Sequence, residues 1–370
     1  MSVDIETYSD VDINRAGLYR YVQSPAFEIL LFAYSLDGQP RKVIDLISGE
    51  SIPYEARELL FNHQVLKHAY NAAFEWYCLS KYFDLLSIPS FPPESWLSQW
   101  HCTMLHAMYC GFPASLDAAG RAIGLPQDKQ KLATGKALIQ YFCKPCKPTK
   151  TNGFRTRNLP HHDPAKWELF KTYNGQDVVT EMAIDDRLVN FPVPDDVQEQ
   201  WVTDQMINAR GVAVDLNLAA GARKIDADVK ARYRADAIQL TGLDNPASDT
   251  QFLRWLSTQG VVTPNLQKGT VANMLKSDLP EDARTALEYR KELKKTSTTK
   301  YNTLETAVCE DGRVRGTLMF YGANRTGRWA GRLVQLQNLP RTYIKEEMLP
   351  LARDLVKSGD TDGQGEHFFL

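Results

Sequence analysis

Apolar and polar residues alternate from the first positions of the chain. Val3, Ile5 and Thr7 favour a strand, with Asp4 and Glu6 between them. The period of two predicts a β-strand carrying both carboxylates on one face, about 7 Å apart along the strand. Two acids so placed repel one another unless they face solvent or share a cation. Only three residues precede Asp4, which predicts a short or frayed strand. EILLFAYSLDG (28–38) and KVIDLI (42–47) flank Asp37-Gly38-Gln39-Pro40 and read as a hairpin. QVLKHAY (64–70) reads as a further strand, running into a helix that starts near Ala72 with Asn71 as its N-cap. SLDAAGRAIGL (115–125) has helical spacing and stops at Gly124 before Pro126. Asp163 and Pro164, a capping residue and a proline at the first helical position, open a strong helix over 163–190. After FPVPDD (191–196) the chain is mostly helical and charged to about 310, and 311–342 returns to glycine and strand formers.

Length and charge narrow the class. A chain of 370 residues suggests two or three domains around a large core. The net charge of −2 means that any nucleic-acid surface must be local. No run of about 18 apolar residues predicts a membrane span. Asp4 and Glu6 stand where an export signal would be basic and then apolar, so a cytoplasmic protein with its six cysteines reduced is expected.

Two further groups attract attention as candidate chemistry. Glu75 follows Asn71 by four residues, one too many for the partner of a capping box. Tyr173 and Asp177 lie one helical turn apart on one face. Gly175 between them weakens the helix by about 1 kcal/mol relative to alanine, and nothing in the sequence explains it.

In this order the motifs resemble the 3′→5′ exonuclease domain of the RNase H-like superfamily, in its tyrosine-containing (DEDDy) subclass. Asp4-Ile5-Glu6-Thr7 matches D-x-E-T, Asn71-Ala72-Ala73-Phe74-Glu75 matches N-x-x-F-[DE], and Tyr173 to Asp177 matches Y-x-x-x-D. The histidine subclass would need a histidine where Thr172 stands. Glu75 departs from the usual aspartate by one methylene. The resemblance implies an α/β domain, a mixed central sheet flanked by helices. It also implies two Mg²⁺ ions (Mn²⁺ can substitute) held by Asp4, Glu6, Glu75 and Asp177, flanking the attacking and leaving oxygens of a phosphodiester. Tyr173, with a phenolic pKa near 10, would position the attacking water more than deprotonate it. Thr7, Asn71 and Phe74 would hold the 3′-terminal nucleotide, and the product would be a deoxynucleoside monophosphate.

A second resemblance lies downstream. Thr326-Gly327-Arg328, then seven residues, then Leu336-Gln337-Asn338-Leu339-Pro340 resembles the T-G-R…L-Q-N-[IL]-P segment of family A DNA polymerases, bacterial and phage-type. It implies that Arg325, Arg328, Gln337 and Asn338 face template and primer DNA. ARGVAVDLNLAAGARK (209–224) resembles the start of the polymerase module, with a turn at Arg210-Gly211-Val212. NPASDTQFLRWLSTQG (245–260) and LKKTSTTKYNTLE (293–305) resemble its helical thumb, where Lys294, Lys295, Ser297 and Lys300 suit phosphate contact. The expected organisation is therefore an exonuclease domain at 1–190, a thumb-like region at 191–310, the start of the palm at 311–342 and an aberrant tail at 343–370. The aspartates of the later palm motifs find no match after Arg341, so polymerisation is not expected of this chain alone. The expected activity is proofreading in DNA replication. The alternatives are an inactive DNA-binding remnant and an RNA-trimming exonuclease, against which residues 209–341 argue.

Three features stand apart. Cys143-x-x-Cys146 with His161 and His162 permits zinc, though the histidines are adjacent rather than three to five residues apart. The same loop carries Lys144, Lys147, Lys150, Arg155 and Arg157 without an acid, which suits either nucleic acid or solvent. Trp96, Trp100, Met104 and Met108 read as core.

Overall fold

A computed structural model describes residues 1–86, 94–296, 298–323, 325–339 and 343–359. Ser297, Pro340 and the tail from 360, all invoked above, lie outside the described residues. In chain order the elements are β1 (Ser2–Tyr8), α1 (Ile13–Gln23), β2 (Glu28–Ser35), β3 (Lys42–Asp45), α2 (Tyr54–Phe61), β4 (Lys67–Ala69), α3 (Ala73–Tyr82), α4 (Glu94–Leu97), β5 (Trp100–Cys102), α5 (Thr103–Tyr109), α6 (Leu116–Ile123), α7 (Gly135–Phe142), α8 (Pro164–Leu188) and α9 (Asp195–Arg210). There follow β6 (Val212–Ala213), α10 (Leu216–Thr241), α11 (Asp249–Thr258), α12 (Lys268–Met274), α13 (Glu281–Leu293), α14 (Thr299–Ala307), β7 (Arg313–Val314), β8 (Leu318–Ala323), β9 (Arg328–Gly331) and α15 (Leu349–Ser358). Among the described residues two compact units result, residues 1–214 with 306–339, and residues 215–305 with 343–359.

The first unit is built on a five-stranded mixed sheet in the order β3-β2-β1-β4-β5. β1 runs antiparallel to β2 and parallel to β4, and β2 runs antiparallel to β3, the expected hairpin. β1 is neither short nor frayed. It pairs with β2 along its whole length, from Ser2 to Tyr8, and its start is held on the other side by β4, where Ser2 stands opposite His68. The run 64–70 is a strand only over Lys67–Ala69. Asn62 takes up the backbone before it, its carbonyl accepting from Val65 N (3.1 Å) and its side chain from Gln64 N (2.9 Å). Asn71 is not the N-cap of α3. That position is Ala72, and Asn71 adopts a left-handed φ of 82°, which asparagine tolerates.

Alternation along β1 sorts its residues as expected. Val3 and Ile5 enter a core with Trp76, Tyr77 and Trp100. Tyr8 packs on the other side with Leu31, Phe142, Trp167, Phe170 and Tyr173, most of them on α7 and α8. Asp163 caps α8 by accepting from Lys166 N (3.1 Å), and Trp167 Nε1 donates to Asp45 Oδ2 of β3 (2.6 Å), clamping the long helix to the sheet. Gly175 now has its reason. A β-carbon there would lie 2.8 Å from Arg41 Nε and 3.0 Å from Val43 Cγ2, so the missing side chain lets α8 approach β3 closely.

The second unit is helical. α10 packs against α13 and α15, and Phe252, Leu256, Ala283, Ala286 and Leu287 form a core of their own. Lys294 pairs with Asp249 (3.4 Å) and Lys295 with Glu292 (2.5 Å) at the surface.

Candidate metal centre

The site begins with the pleat of β1, which points Asp4 and Glu6 to the side where α8 lies. A bulge sits beside them: Glu6 stands opposite Leu31 but Thr7 opposite Ile29. Such bulges turn the strand locally and re-aim side chains. α8 brings Asp177 from the facing side. One carboxylate oxygen from each of Asp4, Glu6 and Asp177 lies within 4.8 Å of the other two, the one group of three or more potential metal ligands among the described residues. Cys143 and Cys146 form no such group with His161 and His162. The Cys143 thiol is spent on Glu6 Oε2 (3.7 Å), and Cys146 donates to the Arg155 carbonyl (3.3 Å).

Each acid has a support. Asn174 Nδ2 donates to Asp4 Oδ2 (2.6 Å). Lys131 Nζ donates to Asp177 Oδ2 (2.5 Å). The Tyr173 hydroxyl acts on the Asp177 carboxylate, favouring its charged form. The Tyr173 ring is buried and stacked on Phe170, centroids 6.1 Å apart and planes 9° apart. Its other edge is fixed by Gly135 at the start of α7, where a β-carbon would lie 2.0 Å from the ring.

Electrostatics mark the place as unusual. Burial, then the charge of Asp177, holds the Asp4 pKa well above the usual carboxylate value. Burial, then Asp4, does the same to Glu6, and burial, then Asp4, to Glu75. Asp177 is raised by burial, and Lys131 and Tyr173 work against the rise. Burial raises the Tyr173 phenol, and the three neighbouring carboxylates add to it, so the hydroxyl stays protonated. Glu75 is buried at the start of α3 and feels Asp4 and Glu6, although it is not one of the three convergent acids. Its Oε2 and Asp177 Oδ1 are buried without a hydrogen-bond partner. Orphaned buried oxygens are costly, and a hard divalent cation among carboxylates would satisfy them. The donor set therefore fits a metal such as Mg²⁺.

The other expected residues are not part of the convergent trio. Thr7 Oγ1 is engaged with the Tyr21 hydroxyl (2.7 Å). Phe74 is half-buried in the first turn of α3. Arg325 and Arg328 are exposed on the β8–β9 hairpin, with Arg328 Nε donating to Thr326 Oγ1 (3.2 Å). Gln337 and Asn338 are exposed on the single helical turn at Leu336–Asn338, where Asn338 Nδ2 donates to Gln335 Oε1 (3.0 Å). The hairpin is anchored on α9. Buried Asp204 accepts from Trp329 Nε1 (2.8 Å) and from Asn208 Nδ2 (3.0 Å), and Asn208 also bonds Leu318 in both directions. Arg157 is committed to structure, lying 3.8 Å over the Tyr8 ring and pairing with Glu28 (2.6 Å).

Sequence reasoning missed Lys131, Asn174 and Glu181. Glu181 follows Asp177 by one turn and is buried with its Oε1 accepting from the Thr103 hydroxyl, so the spacing 173, 177, 181 was a signal. Lys131 sits in QDKQKLATGK, where no periodicity singles it out.

No protein-family model matches the chain. Over 359 residues it is 46% identical to the DNA polymerase of Bacillus phage SP02, a match that takes in 97% of this chain and 54% of that polymerase. The chain thus spans about half the length of that relative, and the resemblance to DNA polymerases expected from the motifs is borne out. Among solved structures, the POL domain of Pol1 from M. smegmatis, in complex with DNA primer-template and dNTP, superposes with a TM-score of 0.51 at 15% identity. That superposition covers 90% of this chain and 56% of the other, and is a likeness of fold. Among the described residues no helix is long and apolar enough to cross a membrane.

Proposed function

We propose that this chain, which resembles a phage DNA polymerase over nearly all of its length, removes nucleotides from the 3′ end of DNA by Mg²⁺-dependent hydrolysis. The observation that carries the reading is the convergence of Asp4, Glu6 and Asp177 within 4.8 Å, with Tyr173 one helical turn from Asp177 and buried beside it. On this reading residues 1–190 are an RNase H-like exonuclease domain of the tyrosine subclass. Residues 191–310 are a thumb that grips primer-template, and 311–342 are the first palm strands of a family A polymerase. The work is proofreading during DNA replication in the cytoplasm.

Asp4, Glu6 and Asp177 would hold the metal, with Glu75 beside them. Bound there, divalent ions supply a hydroxide near neutral pH and neutralise charge at the phosphate. The protein's own part is orientation. Asn174 fixes one oxygen of Asp4, and Cys143 faces one of Glu6. Tyr173 has a locked ring and a protonated hydroxyl, so it can hold a water in line but not deprotonate it. Arg325, Arg328, Gln337 and Asn338 suit backbone and base-edge contacts with duplex DNA. Such binding should weaken with salt, because phosphate neutralisation releases counterions.

One observation favours a second reading, DNA binding without hydrolysis: Lys131 already pairs with Asp177 inside the cluster. A single assay decides. End-labelled single-stranded DNA should shorten from its 3′ end with Mg²⁺, remain intact with EDTA, and remain intact with Asp4→Ala at unchanged DNA affinity. Intact DNA at every Mg²⁺ concentration, with binding retained, would leave only the second reading.

A further inference from the structure

We infer that Lys131 is an intramolecular counter-ion of the acid cluster, which occupies it when metal is absent and must withdraw when a divalent ion binds, so that this lysine sets the metal affinity of the site. The inference rests on the metal-dependent reading above, and its test separates the two.

The geometry is that of a stand-in cation. Lys131 Nζ lies 2.5 Å from Asp177 Oδ2, and its charge also acts on Asp4 and Glu6. The ammonium is 4.9 Å from the centroid of the Tyr173 ring, and so lies between that ring and the Asp177 carboxylate it pairs with. One cation faces three convergent carboxylates, with Glu75 behind them. A single positive charge cannot offset that many buried acids, and Asp177 Oδ1 and Glu75 Oε2 keep no partner while it is there. A divalent ion brings twice the charge and prefers carboxylate oxygens, so it is the better occupant. The two cannot both sit against Asp177, since like charges at contact distance repel strongly in a buried site.

The surroundings permit the exchange. The lysine side chain is 26% exposed while Asp177 is 5% exposed, so the lysine lies at the mouth and the acid inside. A flexible four-carbon stem can turn outward without moving the backbone. The backbone before it is held in place: Gln176 Nε2 of α8 donates to the carbonyls of Asp128 (2.8 Å) and Gln130 (3.3 Å). Withdrawal is therefore a side-chain rotation from a fixed loop. Lys131 thereby serves the fold as well, keeping buried carboxylates paired until metal arrives.

The test uses the full chain with Mn²⁺ as the probe. Free Mn²⁺ is followed by electron paramagnetic resonance, and melting is measured in EDTA and in saturating Mn²⁺. Lys131→Met should bind Mn²⁺ on the order of tenfold more tightly than the parent, the size expected for removing one charge-assisted contact. It should also melt lower than the parent in EDTA and no lower in Mn²⁺. Lys131→Gln, which keeps a donor but not the charge, should repeat both effects and serves if the methionine variant fails to fold. Equal or weaker Mn²⁺ binding by the variants, with a parent that binds and hydrolyses normally, would overturn the counter-ion and leave the nuclease reading intact. Absence of Mn²⁺ binding in parent and variants alike would overturn both.

Discussion

Gly135 offers a way to move Tyr173 without touching any acid. A β-carbon at residue 135 would lie 2.0 Å from Tyr173 Cε2, 2.4 Å from Cζ and 2.7 Å from Cδ2. Ordinary contact begins at 3.4 Å, so the ring edge must retreat by 3.4 − 2.0 = 1.4 Å in Gly135→Ala. Phe170 is stacked behind the ring and Phe142 and Trp167 complete the packing, so the retreat is opposed on the far side. Overpacking of this kind costs about 1–3 kcal/mol of stability. The hydroxyl moves with the ring, and a shift of about 1 Å in a positioning group costs about 10²-fold in rate. Single-turnover excision of a labelled 3′ nucleotide at saturating Mg²⁺ measures the rate, and urea unfolding measures the stability. The Mn²⁺ midpoint should stay within about twofold of the parent, because no ligand is lost. Gly135→Ala that folds, with an unchanged excision rate, would refute the claim that the Tyr173 hydroxyl must sit where it does.

Four further outcomes are expected. Tyr173→Phe should slow excision by about 10²-fold (about 2.7 kcal/mol) with an unchanged metal midpoint, whereas Asp177→Asn should weaken both, as a Mg²⁺ titration of both variants would reveal. Gly175→Ala should change stability by no more than about 1 kcal/mol, since its nearest neighbour is the exposed, movable Arg41 and alanine favours the helix; denaturant melts check this. Burial, opposed by the Thr103 and Ser2 hydroxyls and raised further by Asp185, lifts the Glu181 pKa to about 7 from an ordinary 4.5, with the N-terminal amine also near. Its stabilising protonated form is fully present below about pH 4.5 and lost as pH rises through 7, so parent minus Glu181→Gln stability should fall by roughly 3 kcal/mol between pH 4.5 and 8. Asp4→Asn should abolish excision yet raise the melting temperature in EDTA at neutral pH, because it removes a half-buried charge that desolvation and Asp177 disfavour and keeps a group that can accept from Asn174.

Much of the first unit was legible because its signals are local. Alternation in Val3-Asp4-Ile5-Glu6-Thr7 alone predicts which residues share a face, and the sheet buries Val3 and Ile5 accordingly. Asp163-Pro164 and Gly124 are punctuation that a single sequence carries, and both helix ends fall there. Asn71 was misread because a capping residue type before a helix is only permissive; the chain instead spends Asn71 on a left-handed turn from β4 into α3. Gly175 and Gly135 were opaque for a different reason. Each answers to a side chain far away in sequence, Arg41 and Tyr173 respectively, and no local pattern encodes a distance. Lys131 is the same case in charge. Its loop holds several lysines, and only the fold selects the one that meets Asp177.

The acids themselves explain why the site reads as functional rather than structural. A fold seeking stability alone would fill the space between β1 and α8 with residues like those of the adjoining aromatic cluster around Phe142 and Phe170. Instead it places half-buried Asp4 with buried Glu6, Glu75 and Asp177, holds their pKa values up by desolvation and, for all but Asp177, by repulsion from neighbouring acids, and leaves two oxygens unbonded. Asn174 gives Asp4 a hydrogen bond, but it orients that carboxylate without neutralising it. Local violations of the rules for a stable core concentrate where binding or catalysis needs them. The same reasoning fixes the sign of the Asp4→Asn result. If the acid is kept for its ligand chemistry, its loss must help the metal-free fold; if it is kept for the fold, its loss must harm it. A lower melting temperature for Asp4→Asn in EDTA would therefore count against a metal site at this point, whatever the sequence of the surrounding strand resembles.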